Sequence, residues 1–144
     1  MKNLIIIILS IIPILAFNQE TIEIKIKVEG IRNSQGQIVL SAFKTEKEFD
    51  DETQVYNFTI DKSSIKDGVI NTSVRLPIGN WGLTLLDDEN SDAKMEYNFF
   101  GITEEGFGFS NYYLIGLSKP DLEDFDFNVN NKDNVSVKMK IRYM

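Results

Sequence analysis

The chain has 144 residues, 22 acidic against 15 basic, with no His and no Cys. Without imidazole or thiol it holds no Ser-His-Asp triad, no Cys nucleophile, no disulfide and no ordinary zinc site. A pI near 4.6 argues against a nucleic-acid partner, because phosphate binding needs a basic face.

Residues 1–18 read as a secretory signal peptide. Lys2 gives a short positive start, and Leu4 to Phe17 is an almost unbroken apolar run. That run is well short of the roughly 20 residues a spanning helix needs, and cleavage is expected between Ala16 and Gln19. An uncleaved anchor is the competing reading. A lipoprotein is excluded because there is no Cys to acylate. The mature chain, residues 19–144, is then a single domain with no transmembrane span, exported to the periplasm, the cell surface or the medium. Losing Lys2 leaves 14 basic residues against 22 acidic ones, a net charge of −8. Without cysteine such a chain is held by its core or by a metal, and calcium is the extracellular ion that suits its oxygen ligands.

Thr21 to Glu29 alternates strictly, with Ile22, Ile24, Ile26 and Val28 on one side and Glu23, Lys25 and Lys27 on the other, as in a half-buried strand. After the Asn33–Gly36 turn, Gln37 to Phe43 forms a second strand. Lys44 to Glu52 is a loop or short helical turn anchored by Phe49. Further strands are expected over 55–60, 69–76, 80–86, 124–129 and 134–143, with Asp67-Gly68 and Pro77–Gly79 as turns. About seven short strands and no amphipathic helix predict an all-β fold, an antiparallel β-sandwich of immunoglobulin-like or prealbumin-like type. A small barrel is the alternative.

The segment from Asp87 to Asn111 is expected to be a long polar, glycine-rich loop carrying the working surface. Asp88, Asn90 and Asp92 recur at every second residue, with Glu96 four further on. Alternate oxygen side chains of a curled loop converge, and calcium accepts six to eight oxygens in flexible geometry. Two readings stand: a calcium ion held by Asp88, Asn90, Asp92 and Glu96, or a solvated turn whose Asx side chains bond the backbone. An EF-hand is not expected, because Ala93 and Phe99 stand at its sixth and twelfth positions and no flanking helices are readable. Downstream, Phe107, Phe109, Asn111 and Tyr112 are candidate binding residues: exposed rings would stack on a sugar or dock a partner. The same rings folded inward would plug one end of the domain. Trp81 reads as core.

Three groups of residues carry a resemblance: Leu76-Pro77-x-Gly79-x-Trp81, Asp88-x-Asn90-x-Asp92, and Gly101-Ile102 with Glu105-Gly106-Phe107-Gly108-Phe109-Ser110-Asn111. Together they resemble DUF2141, a family of small exported bacterial proteins, over essentially the whole mature chain. The resemblance implies an exported single β-sandwich domain and no established activity. The sequence departs from the family pattern at Asp87, where a His is common, at Ala93 for Gly, at Glu96 for Asp and at Thr103 for Pro. Loss of that His weighs against a catalytic role. The expectation is a non-catalytic module that binds an envelope or extracellular protein or glycan. The alternatives are a carboxylate-dependent glycan hydrolase and a purely structural envelope protein.

Overall fold

The computed structural model describes residues 19–95 and 103–144, so the expected signal peptide and Glu96 lie outside the described residues. The described chain is all-β with one small helix. In order the elements are β1 (Thr21–Glu29), β2 (Gln37–Phe43), α1 (Glu46–Asp50), β3 (Tyr56–Asp61), β4 (Val69–Pro77), β5 (Gly79–Asp88), β6 (Gly106–Phe109), β7 (Asp126–Val129) and β8 (Ser136–Lys140). β1 and β2 fall at the bounds that the sequence predicts, β1 from its alternation and β2 from its apolar run. In α1 the capping box of Thr45 and Glu48 starts the helix, and Phe49 is its buried anchor.

Two sheets form. The first has the order β4-β1-β8; the second runs β3-β2-β5-β6, with β7 also paired to β5. β6 lies along Thr84–Asp87 of β5, and β7 lies along Gly79–Gly82. Ser110 fills the interval between them: its backbone N–H donates to the Leu83 carbonyl at 2.9 Å, and its buried hydroxyl accepts from the Leu83 N–H and donates to the Phe125 carbonyl. Both sheets turn residues into one core, with Ile24, Ile26 and Val28 of β1 meeting Ile38 and Leu40 of β2 and Trp81, Leu83 and Leu85 of β5. The Trp81 indole N–H is satisfied by the Pro77 carbonyl at 2.8 Å.

Two expectations are corrected. The sheets are not wholly antiparallel, because β8 pairs with β1 in parallel, Lys25 opposite Ser136 through Glu29 opposite Lys140. And Gly106–Phe109, expected as loop, is a strand. Just after β8 the chain leaves the first sheet for the second: the Ile141 N–H donates to Glu29, while Arg142 exchanges two backbone hydrogen bonds with Phe107. This crossing explains the glycines of β6. A Cβ on Gly106 would stand 2.4 Å from the Tyr143 ring and 2.5 Å from the Ile141 side chain. The alternating Phe107 and Phe109 point the other way, onto the outer side of the second sheet.

That outer side carries a second apolar cluster of Phe43, Phe49, Phe107, Phe109, Leu122 and Phe125, with Met95, Tyr112 and Leu114 packed against it. Its rings meet edge-on or tilted, Phe49 with Phe125 at 5.1 Å and Phe109 with Phe125 at 5.0 Å, separations at which aromatic pairs gain beyond simple burial. The five-stranded sheet is therefore covered on both faces over part of its area.

Candidate functional site

The Asp88–Lys94 turn begins where β5 ends. Asp88 is fully buried, and its carboxylate accepts from the backbone N–H of Asp92 and of Ala93, both at 3.0 Å, and from the Gln37 amide at 2.6 Å. The Asn90 side-chain oxygen accepts from the Asp92 N–H at 3.1 Å, and Asp92 accepts from the Lys94 N–H at 2.8 Å. Asp88, Asn90 and Asp92 thus each bond the backbone two to five residues ahead, the pattern by which Asx side chains build turns. Ser91 and Ala93 take the left-handed conformation, with φ of 61° and 59°. The backbone at Ala93 is of the kind glycine adopts most readily. Among the described residues no group of three or more acidic side chains is gathered to hold a metal ion.

Asp87 and Asp88 point to opposite sides because side chains alternate along a strand. Asp87 follows Leu83 and Leu85 into the interior, where it is fully buried and pairs with the equally buried Lys62 ammonium. Lys62 also donates to the Gln35 carbonyl at 2.7 Å, and the Tyr143 hydroxyl donates to the other Asp87 oxygen. The acidic excess at this position therefore serves an internal ion pair and is not added to the Asp88 turn. The Arg32 guanidinium lies 4.3 Å from the centre of the Tyr143 ring and forms a two-pronged pair with Glu89, whose second donor is Asn33. Burial, then the bond to Asp87, raises the Tyr143 phenol above its ordinary range. The Arg32 hydrogen bond lowers the Glu89 carboxyl. Gly36 seals this end: with φ of 69°, its absent Cβ would fall 2.0 Å from the Asp88 carbonyl oxygen.

Sequence reasoning misses this network because the polar run that starts at Asp87 reads as a loop. The signal was available: Leu83, Leu85 and Asp87 continue one alternating face, so Asp87 in a core position demands a buried partner.

Above the outer side of the second sheet lies a half-open groove of about 870 Å³. Its floor is Val39, Ser41, Asn57, Thr84, Leu86 and Phe107. The turn at Ala93–Met95 forms one wall, and Leu114, Leu117 and Lys119 belong to another. The floor mixes apolar surface with polar groups, and the Ser41 hydroxyl donates to the Asn57 side-chain oxygen at 3.0 Å.

The sequence-predicted binding residues divide. Phe107 and Phe109 border the groove, but at 7% and 8% exposure they are packed rings and not open stacking platforms. Tyr112 packs on the same cluster. Asn111, at φ 54°, ties its loop to β8: its N–H donates to Lys138, and its side-chain oxygen accepts from the Lys138 N–H. Of the predicted metal residues, Asp88, Asn90 and Asp92 share one turn, while Glu96 is outside the described residues.

Fold and site together define a two-sheet all-β domain with a groove on one sheet and a buried charge network at its end. Residues 26–138 match the family model DUF2141, described as an uncharacterized protein conserved in bacteria, and the chain belongs to that family. No curated protein and no solved structure matches the chain. No helix among the described residues is long and apolar enough to cross a membrane.

Proposed function

We propose that the protein is an exported, non-catalytic binding module, a β-sandwich freed of residues 1–18, whose groove takes up the apolar part of an envelope or extracellular ligand. The observation that carries this reading is the groove itself. About 870 Å³ lies within the roughly 300–1,000 Å³ of small-molecule sites, which combine apolar walls with few polar groups. Leu86, Met95, Leu114 and Leu117 offer accessible apolar surface over the packed Val39 and Phe107, and Ser41, Asn57, Thr84, Lys94 and Lys119 are among the polar groups. The hydrogen bonds of Asp88 support the Asx-turn reading of the 88–94 segment over the calcium reading, because a cation there would have to displace two backbone N–H donors and the Gln37 amide.

The test uses anilinonaphthalene sulfonate, a fluorescent probe with an apolar body. Wild-type protein is expected to bind one equivalent with enhanced fluorescence. Thr84→Trp, which fills the floor, is expected to abolish binding with the melting temperature retained. A folded Thr84→Trp variant that binds like wild type overturns the assignment.

A further inference from the structure

The first sheet turns its other face to solvent, and that face has a charge opposite to the chain as a whole. Its outward positions carry five cations, Lys25 and Lys27 on β1, Arg75 on β4, and Lys138 and Lys140 on β8, against the carboxylates Glu23 and Glu29. Five against two is a net +3 on a protein whose total is −7. The register concentrates the charge. Lys27 lies directly beside Lys138 on the neighbouring strand, and Lys140 lies beside Glu29. Like charges side by side on one face are destabilising, and here a single carboxylate, Glu29, bridges both Lys27 at 2.7 Å and Lys138 at 3.2 Å.

Between the cations stand neutral hydrogen-bonding side chains. Lys25 is flanked in register by Ser73 and Ser136, and Lys27 by Asn71 on its other side. Lys25, Lys27, Asn71, Ser73 and Ser136 line a shallow hollow in this face. Of the outward positions on the three strands, Val69 opposite Glu29 is aliphatic and half-buried, and none is aromatic; the exposed Tyr113 ring lies at the edge, under Lys140. A membrane surface is gripped by apolar side chains inserted beneath the headgroups, and protein interfaces centre on buried aromatic anchors. A flat face of cations and amide or hydroxyl groups suits a hydrated polyanion.

We propose that this face binds an acidic polysaccharide, a polymer repeating carboxylate groups between hydroxyl-bearing sugar rings. The carboxylates would meet Lys25, Lys27 and Lys138, while Asn71, Ser73 and Ser136 exchange hydrogen bonds with the hydroxyls. The site lies on the sheet opposite the groove and stands whether or not the groove binds anything.

Affinity electrophoresis of the purified protein tests this, with polygalacturonate, neutral dextran, duplex DNA or phosphatidylglycerol vesicles as the probe. Retardation by polygalacturonate and not by dextran is expected, weakening roughly tenfold as salt rises from about 50 to 200 mM, as counterion-linked binding requires. Lys25→Gln/Lys138→Gln is expected to weaken retardation about tenfold, and Lys44→Gln/Lys47→Gln, an equal charge change beside α1, to leave it unchanged. All four side chains are exposed, and equal melting temperatures of the two variants separate lost binding from lost structure. Equal loss in both variants, equal retardation by dextran, or retention by DNA or vesicles in preference to polygalacturonate would overturn the proposal.

Discussion

Replacing Lys62 by Met removes the ammonium that pairs with Asp87 inside the domain. Both side chains are almost wholly buried, at 1% and 0% exposure, so Asp87 would be left with Tyr143 as its polar partner in a low-dielectric site. Breaking a buried pair from one side costs about 3–5 kcal/mol, because the remaining charge stays desolvated. Lys62→Met and Asp87→Leu are therefore each expected to lose about that much. The double variant leaves no unpaired charge; it strands only the Gln35 carbonyl and the Tyr143 hydroxyl, at about 1 kcal/mol each. The double variant should thus be more stable than either single one. Urea unfolding of all four proteins yields the coupling energy, expected to exceed about 2 kcal/mol. Additivity within about 0.5 kcal/mol, as for independent sites, would refute the ion pair as the element joining β5 to the β3–β4 connection.

Other expectations follow from single positions. Gly36→Ala should destabilise by at least about 2 kcal/mol in the same assay, since its Cβ would stand 2.0 Å from backbone that cannot move aside cheaply. Ala93→Gly should be neutral or stabilising by up to about 1 kcal/mol, because it relieves a left-handed alanine at φ 59° while adding entropy to the unfolded chain. For pH, Glu29 is lowered first by Lys27 and then by Lys138, and Glu89 by Arg32. Their stabilisation is present above the ordinary carboxylate pKa, about 4.3, and is lost as pH falls through the lowered values; Glu89→Gln should flatten this acid limb of the melting curve. Tyr143 has the opposite sign: its raised phenol stabilises fully below about pH 10 and loses that contribution as pH climbs. Ultraviolet titration should show one of the five tyrosines ionising later than the rest.

Strict alternation makes β1 legible to the residue, because a half-buried strand repeats every two positions; β2 is legible as a near-continuous apolar run between the Asn33–Gly36 turn and the charged Lys44–Glu52 segment. β6 was hidden by the opposite circumstance. It has four residues, two of them glycines, which are depleted in strands, and their presence answers to the Ile141–Tyr143 crossing, a contact between distant parts of the chain. The parallel pairing of β8 with β1 is likewise a matter of strand order, on which local periodicity is silent. At the site, the Asp88-x-Asn90-x-Asp92 spacing was legible as a curled, oxygen-rich turn. It did not distinguish a cation from backbone N–H groups as the partner, since both accept the same spacing of side-chain oxygens. Asp87 groups with that turn in the sequence because the apolar run ends at Leu86, whereas β5 continues to Asp88, and one residue of strand register separates the turn from the core.

The claim at the centre of this account is that the groove over the five-stranded sheet is the binding surface. Mapping amide chemical shifts by NMR while anilinonaphthalene sulfonate is added tests it most directly. Saturable shifts confined to Val39–Phe43, Thr84–Leu86, Ala93–Met95 and Gly106–Phe109 are predicted. Shifts scattered over both sheets, or saturable shifts confined to β1, β4 and β8, would contradict it.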